Sequence, residues 1–282
     1  MWLLLSFLAA LFQGLTDLFA KNLTKTINAY SLAFSYSIIT VLCLFPYIIF
    51  TKGPEIGASF WSSLLITGLI NSVTVVLVFK ALKRTELSLI TPIYNLSPLF
   101  LLFTAPLLVG EFPKPIGLVG VFLILFGTYV LNFKGKVNFE PFLEIYKDRG
   151  QRLILLVCFL WAISSNFYKI GMQNSSPIYF IFALNLFITI CLIPFMINKK
   201  RVVSIQSNWP QLLLLGLLGT IVAVFEWTAV NTGLVVYVLS IKRLSVLVSI
   251  LGAYILFREK HPVQRLVAAL IMIFGVILIV FA

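Results

Sequence analysis

Cys43-Leu44-Phe45-Pro46 and Cys191-Leu192-Ile193-Pro194 are nearly the same phrase written twice, 148 residues apart. The register holds on both sides of it. Phe19 and Lys21 fall on Phe167 and Lys169, and Trp61, Leu64, Leu65 and Gly68 fall on Trp209, Leu212, Leu213 and Gly216. Further on, Leu96, Ser97 and Leu99 fall on Leu244, Ser245 and Leu247, Glu111 on Glu259, and Phe126 and Gly127 on Phe274 and Gly275. Roughly a fifth of paired positions are identical without a gap, which marks a duplicated unit. In a membrane protein, a repeat of this kind builds a site between its two halves.

Composition decides the solvent. Of 282 residues, 61% are hydrophobic and 11% charged, with mean hydropathy +1.07. A soluble domain carries about 25% charged residues, so lipid must cover much of this surface. The formal net charge of +12 does not indicate nucleic acid, because Lys and Arg fall mostly between apolar runs, as in cytoplasmic loops. Cys43, Cys158 and Cys191 all lie inside apolar runs and imply no disulfide framework. Met1-Trp2-Leu3 lacks the basic start of a cleaved signal peptide, so the first run is read as a retained helix.

A spanning helix needs about 20 apolar residues. Candidate runs are 2–20, 30–50, 60–79, 87–109, 115–133, 152–170, 177–197, 210–230, 234–256 and 262–282, five in each half. Run length excludes β-barrel strands. An odd number per half sends the second half through the membrane in the opposite sense. The charges agree. Lys21 and Lys25, then Lys80, Lys83 and Arg84, then Lys134, Lys136, Lys147, Arg149 and Arg152, then Lys199, Lys200 and Arg201, and finally Arg258, Lys260 and Arg265 follow the odd-numbered spans. The alternate connections hold only Lys52, Lys114 and Lys169. The positive-inside rule therefore puts the basic set in the cytoplasm and both termini outside. The expected fold is an all-α integral membrane protein of ten transmembrane helices, arranged as a five-plus-five inverted repeat in the plasma membrane. Residues 1–133 form the first repeat and 152–282 the second. In the linker 134–151, Phe139, Phe142, Leu143 and Tyr146 recur at helical spacing and suit either an interfacial helix or a plain connection.

The ends of the halves resemble the drug/metabolite transporter superfamily, EamA type. The first reads Ala81-Leu82-Lys83, Pro92, Leu96-Ser97-Pro98-Leu99, Gly110-Glu111, Gly117 and Gly127. The second reads Ala229-Val230-Asn231, Lys242-Arg243-Leu244-Ser245, Arg258-Glu259 and Gly275. Trp161 followed by Lys169 fits the family's first helix. The resemblance implies a central cavity lined by helices one to four and six to nine, with the fifth and tenth at the periphery. It implies a transporter whose commonest role is export of amino acids or related metabolites. Many relatives are described with cytoplasmic termini, against the loop charges counted here. Lys242-Arg243 also resembles the pair with which organellar sugar-phosphate translocators grip an anion.

Ionisable residues within spans are functional candidates by default. Lys242 and Arg243 lie about 12 Å into their span at 1.5 Å per residue, too deep for easy snorkelling. They either anchor a substrate anion, with Arg suited to a bidentate grip, or are neutralised by an acid on a neighbouring helix. Adjacent residues point about 100° apart, so only one is expected to face the cavity squarely. Glu226 either balances one of them or takes a proton and couples transport. Lys169 either adds a third cation or snorkels to headgroups. Asp17 either pairs with Lys21 four residues on or forms a proton or cation site beside Gln13 and Thr16. Tyr94 and Asn95, the repeat mates of Lys242 and Arg243, join Asn71, Trp161, Asn166 and Asn185 as lining candidates, or as packing bonds. Trp227 and Tyr237 either stack on substrate or sit in the aromatic belt. Pro92, Pro98 and Pro106 should bend the fourth span.

One histidine, His261, lies beside Pro262 in a loop. No paired Cys or His has metal-ligand spacing, no phosphate loop is present, and an enzyme is not expected. No cofactor is implied. The partners expected are a small-molecule substrate, the bilayer and protons as a candidate coupling ion, with a homodimer left open. The function expected is secondary-active transport, in the export direction, of a small polar metabolite such as an amino acid or an organic or phosphorylated anion. The site expected is a net-cationic chamber at mid-membrane. Lipophilic-cation efflux and a non-transporting scaffold are the alternatives.

Overall fold

The computed structural model describes residues 1–85, 93–94, 96–131, 148–248 and 262–282. Within them every regular element is a helix. Besides a short helix at Lys199–Ser207, the helices are α1 (Trp2–Leu23), α2 (Ala29–Phe50), α3 (Phe60–Arg84), α4 (Ser97–Leu108), α5 (Pro115–Leu131), α6 (Arg149–Gln173), α7 (Pro177–Leu192), α8 (Trp209–Thr232), α9 (Val235–Lys242) and α10 (Pro262–Val280). Six helical segments are long and apolar enough to cross a membrane: α1, α2, α3, α6, α8, and α7 with its 3-10 continuation to Met196. They are the first three helices of each half. Asn95, Pro92, Arg258, Glu259, His261 and the helix considered at 139–146 lie outside the described residues.

Helix starts follow local chemistry. Asn28 accepts from the Tyr30 N–H at 2.9 Å to cap α2. Asp148 accepts from the Gln151 N–H at 2.8 Å to cap α6, and Ser176 with Pro177 opens α7. The faces invert the soluble pattern. Large side chains at i, i+3 and i+4 point outward, as Leu4, Phe7, Leu11 and Leu15 do on α1 and Trp61, Leu65, Leu69 and Val73 on α3. The inward face of α1 carries Ala9, Ala10, Gly14 and Ala20. Lipid tails reward no burial of Leu, so small residues that let backbones approach occupy the interfaces.

Helix packing respects the repeat. The α1–α8 contact is matched by α6–α3, α2–α8 by α7–α3, and α9–α1 by α4–α6; α2–α7 and α5–α10 are each their own counterparts. Single residues obey the same exchange. Gly68 faces Phe187, and their mates Gly216 and Ile39 face each other. Gly120 of α5 meets the backbone of Gly275 on α10, where an added Cβ would lie 2.5 Å from the Gly275 carbonyl oxygen. The mates of these two, Ala268 and Gly127, also meet. Residue numbers rise along α5 as they fall along α10, so this contact is antiparallel.

Three expectations change. Lys80, Lys83 and Arg84 belong to α3 rather than to a loop, and the last two complement the negative end of its dipole. Pro98 lies in the first turn of α4, just after a tightened turn, and not within a continuous helix. The ninth span is not one continuous helix: α9 ends at Lys242, turns through Arg243 and Leu244, and resumes helically at 245–248. The turn carries i→i+3 bonds, Arg243 N to Ser240 O at 3.0 Å and Leu244 N to Ile241 O at 2.9 Å. At the mate position Leu96 N bonds Ile93 O at 3.0 Å. Both halves tighten their fourth helix at the same place.

Candidate functional site: a charged cavity at the helix breaks

A cavity of about 240 Å³ lies between the halves. Asp17 and Gln13 reach it from α1, Tyr36 from α2, Asn71 from α3, Trp161 and Tyr168 from α6, and Asn185 from α7. Glu226 and Trp227 reach it from α8, Lys242 and Arg243 from the end of α9, and Tyr94 from the segment before α4. Lys242 and Arg243 both line it. The expectation that only one would do so assumed an unbroken helix, whereas the turn after Lys242 brings the next side chain round.

One base and one acid of the lining form an ion pair, and the other two bond neutral partners. Lys242 Nζ donates to Glu226 Oε2 at 2.7 Å, with both side chains largely buried. Arg243 donates through one guanidinium NH2 group to Ser97 Oγ. Its Nε is buried without a hydrogen-bond partner among the described residues. A buried unpartnered guanidinium N–H is costly, and a ligand oxygen in the cavity would satisfy it. Asp17 accepts from Gln13 Nε2 at 2.7 Å. Lys21 does not take up the pairing with Asp17: it caps the end of α3, donating to the carbonyls of Leu82 and of Thr85, the latter at 2.7 Å. The chamber is therefore not net cationic, because its described lining holds two acids and two bases.

Two aromatic pairs form walls. Trp161 stacks on Tyr94 with centroids 5.8 Å apart and donates its indole N–H to Thr74 Oγ1 at 3.1 Å. Trp227 stacks on Tyr168 with centroids 3.6 Å apart, inside the cavity and away from any lipid belt. Asn71 bridges the halves by donating to Ser164 Oγ at 2.7 Å. Asn166 takes no part in the lining. It is fully buried and donates to Thr104 Oγ1 at 3.0 Å and to Ala162 O, which is interhelical packing.

Lys169 does not snorkel to headgroups. It is 6% exposed and ion-paired with Glu111 of the α4–α5 connection, and it donates to Gly233 O at 2.6 Å. Glu111 also accepts from the Val235 N–H at 2.8 Å. Gly110, at φ +72°, supplies the left-handed turn just before it. Nearby, Tyr237 accepts from the Lys114 N–H at 3.0 Å, so it belongs to this junction and not to a belt. Gly233 is the mate of Thr85, so each half uses the lysine of its first helix to cap the end of its third.

An ion pair and a guanidinium held at a helix break inside an apolar bundle fit a multi-pass membrane transporter. The chain belongs to the EamA-like transporter family, of the drug/metabolite transporter type, whose sequence model matches residues 1–133 and 148–281. Solved structures share its fold: 28 chains match. One, described only as the crystal structure of a protein, superposes with a TM-score of 0.70 at 17% identity over 98% of this chain and 94% of its own. No curated protein matches significantly.

Proposed function

We propose that this protein is a secondary-active exporter of a small carboxylate-bearing metabolite, amino acids first and other organic or phosphorylated anions next. The observation that carries this is Arg243: a guanidinium at a helix break, facing the cavity, with its buried Nε unpartnered among the described residues. A carboxylate fits the planar fork of Arg bidentately. The cavity is below the roughly 300–1,000 Å³ of drug-sized pockets, which favours metabolites over bulky drugs. Efflux of lipophilic cations, with Asp17 or Glu226 as acceptor, has the aromatic walls in its favour and Arg243 against it.

The movement we infer is alternating access by ten spans in a five-plus-five inverted repeat. The antiparallel α5–α10 contact, with mates exchanged across it, supports this reading, as do the matched helix contacts. The basic residues gather at one end. Lys21 sits at the Thr85 carbonyl, Thr85 bonds Asp148 at 2.7 Å, and Arg201 lies 4.4 Å over the Tyr30 ring. That end faces the cytoplasm of a plasma-membrane protein under the positive-inside rule, with both termini outside.

Counterflow in proteoliposomes tests the reading. Vesicles loaded with unlabelled amino acids, hydroxy acids, sugar phosphates or quaternary amines would be assayed for uptake of the labelled compound. Saturable counterflow of a carboxylate or phosphate is expected. Movement of quaternary amines alone, or of nothing in the panel, would overturn it.

A further inference from the structure

The cavity already holds a carboxylate on one of its cations. Glu226 Oε2 sits 2.7 Å from Lys242 Nζ, where the anionic group of a substrate bound to that lysine would have to sit. Tyr36 of α2, Tyr168 of α6, Lys242 at the end of α9 and Arg243 in the turn after it face Glu226, and Asp17 of α1 faces Tyr36 and both bases across the same cavity. With the tyrosines neutral, the lining holds Asp17 and Glu226 against Lys242 and Arg243 and is formally neutral. A net charge left in the low-dielectric middle of a membrane costs several kcal/mol. A zwitterion entering this cavity leaves the balance untouched. A monoanion leaves one negative charge in excess.

We propose that Glu226 is an internal stand-in for the substrate's anionic group, displaced when a monoanionic substrate held by Arg243 also claims the neighbouring Lys242 and protonated when displaced, so that one proton accompanies each monoanion and none accompanies a zwitterion. Glu226 and not Asp17 takes the proton because the substrate competes for its partner, whereas Asp17 keeps the hydrogen bond from Gln13. The balance is simple. Water on the loading side gives a proton to the freed carboxylate as the Lys242 ammonium turns to the substrate. On the release side the substrate leaves, Lys242 returns to Glu226, and the proton passes to water there. One O–H bond forms and breaks, and the cycle is electroneutral for both substrate types.

The proposal rests on the carboxylate-transporter reading, and the test separates the two. Proteoliposomes of the wild-type protein carrying an internal pH dye would be given isosteric pairs, a 2-hydroxy acid and the amino acid of the same side chain, such as 3-phenyllactate with phenylalanine and lactate with alanine, with protein-free vesicles subtracted. The expected proton-to-substrate ratio is about 1 for the hydroxy acid and about 0 for the amino acid, one proton per uncompensated negative charge. Glu226→Gln removes the competitor. It is expected to lower the KM for hydroxy-acid counterflow by roughly tenfold, the scale of one released ion pair, and to abolish accumulation driven by a pH gradient. Glu226→Asp is expected to keep that accumulation. Equal ratios for the two members of a pair, proton movement with neither, or a Glu226→Gln protein that binds more weakly and still accumulates the hydroxy acid would overturn the role of Glu226 while leaving the carboxylate reading intact. Absence of saturable counterflow for every pair would instead remove the reading on which it rests.

Discussion

Lys169 and Glu111 show what a single residue can and cannot announce. A lysine near the end of an apolar run is legible as a charge that needs a destination. Its partner was not, because Glu111 is 58 residues away and reaches it only once the α4–α5 connection is folded against α6. Removing one member of a buried pair leaves the other charge uncompensated. Lys169→Met is therefore expected to destabilise the protein by about 3 kcal/mol, read as a lower unfolding midpoint in detergent. Lys169→Met with Glu111→Gln is expected to recover much of that loss. An unchanged midpoint in the single variant would show that the pair does not support the fold. Asp148 offers a test outside the membrane. Burial opposes its charge, but hydrogen bonds from Thr85 and the Gln151 N–H outweigh it and hold the carboxyl below its usual range. A depressed folded-state value means that its contribution is present above the ordinary carboxylate range and is lost as pH falls through the lowered value. Asp148→Asn is expected to shrink the difference in unfolding midpoint between neutral and acidic pH; an undiminished difference would place that sensitivity in other groups. Arg243 and Lys242 were legible for the simplest reason, two cations deep in an apolar run. The neutral balance of the chamber was not, since Asp17 lies far away in sequence.

Among the elements, the apolar runs were readable because the membrane demands length and hydropathy, both written locally. The break after Lys242 was not, because Lys242 to Val248 contains no Gly or Pro, whereas Pro92 and Pro98 mark the equivalent place in the first half. The turn shows only in its i→i+3 bonds and in α1, where Gly14 lets the Ser245 carbonyl approach. An added Cβ at Gly14 would stand 2.7 Å from that oxygen. Gly14→Ala is therefore expected to push α1 off the break and impair transport more than stability, measured as counterflow rate against unfolding midpoint. A variant that transports normally would show that the break tolerates displacement. At α5–α10 the consequence is structural. Gly120→Val places three carbons against the Gly275 backbone, and overpacking of this kind costs about 1–3 kcal/mol. Retention of the wild-type midpoint would show that this contact is not tightly packed.

For the whole molecule, the repeat at offset 148 was the feature from which most of the architecture could be read. It forecasts which helices are equivalent, and the folded chain pairs them so that exchanging the halves leaves the contacts matched. The repeat does not forecast where the halves differ, and those differences make the site. Tyr94 in one half stands where Lys242 stands in the other, and Gln13 where Trp161 stands. Under the proposed alternating access, symmetry supplies two interconvertible arrangements and asymmetry the chemistry at their centre. The most direct test of that centre is carboxylate counterflow by wild-type and Arg243→Ala proteins inserted to equal density. A fall in kcat/KM of roughly 100-fold, in keeping with loss of a charge-assisted bidentate contact, at an unchanged unfolding midpoint, is the predicted result. Counterflow by Arg243→Ala at the wild-type rate and KM would contradict it.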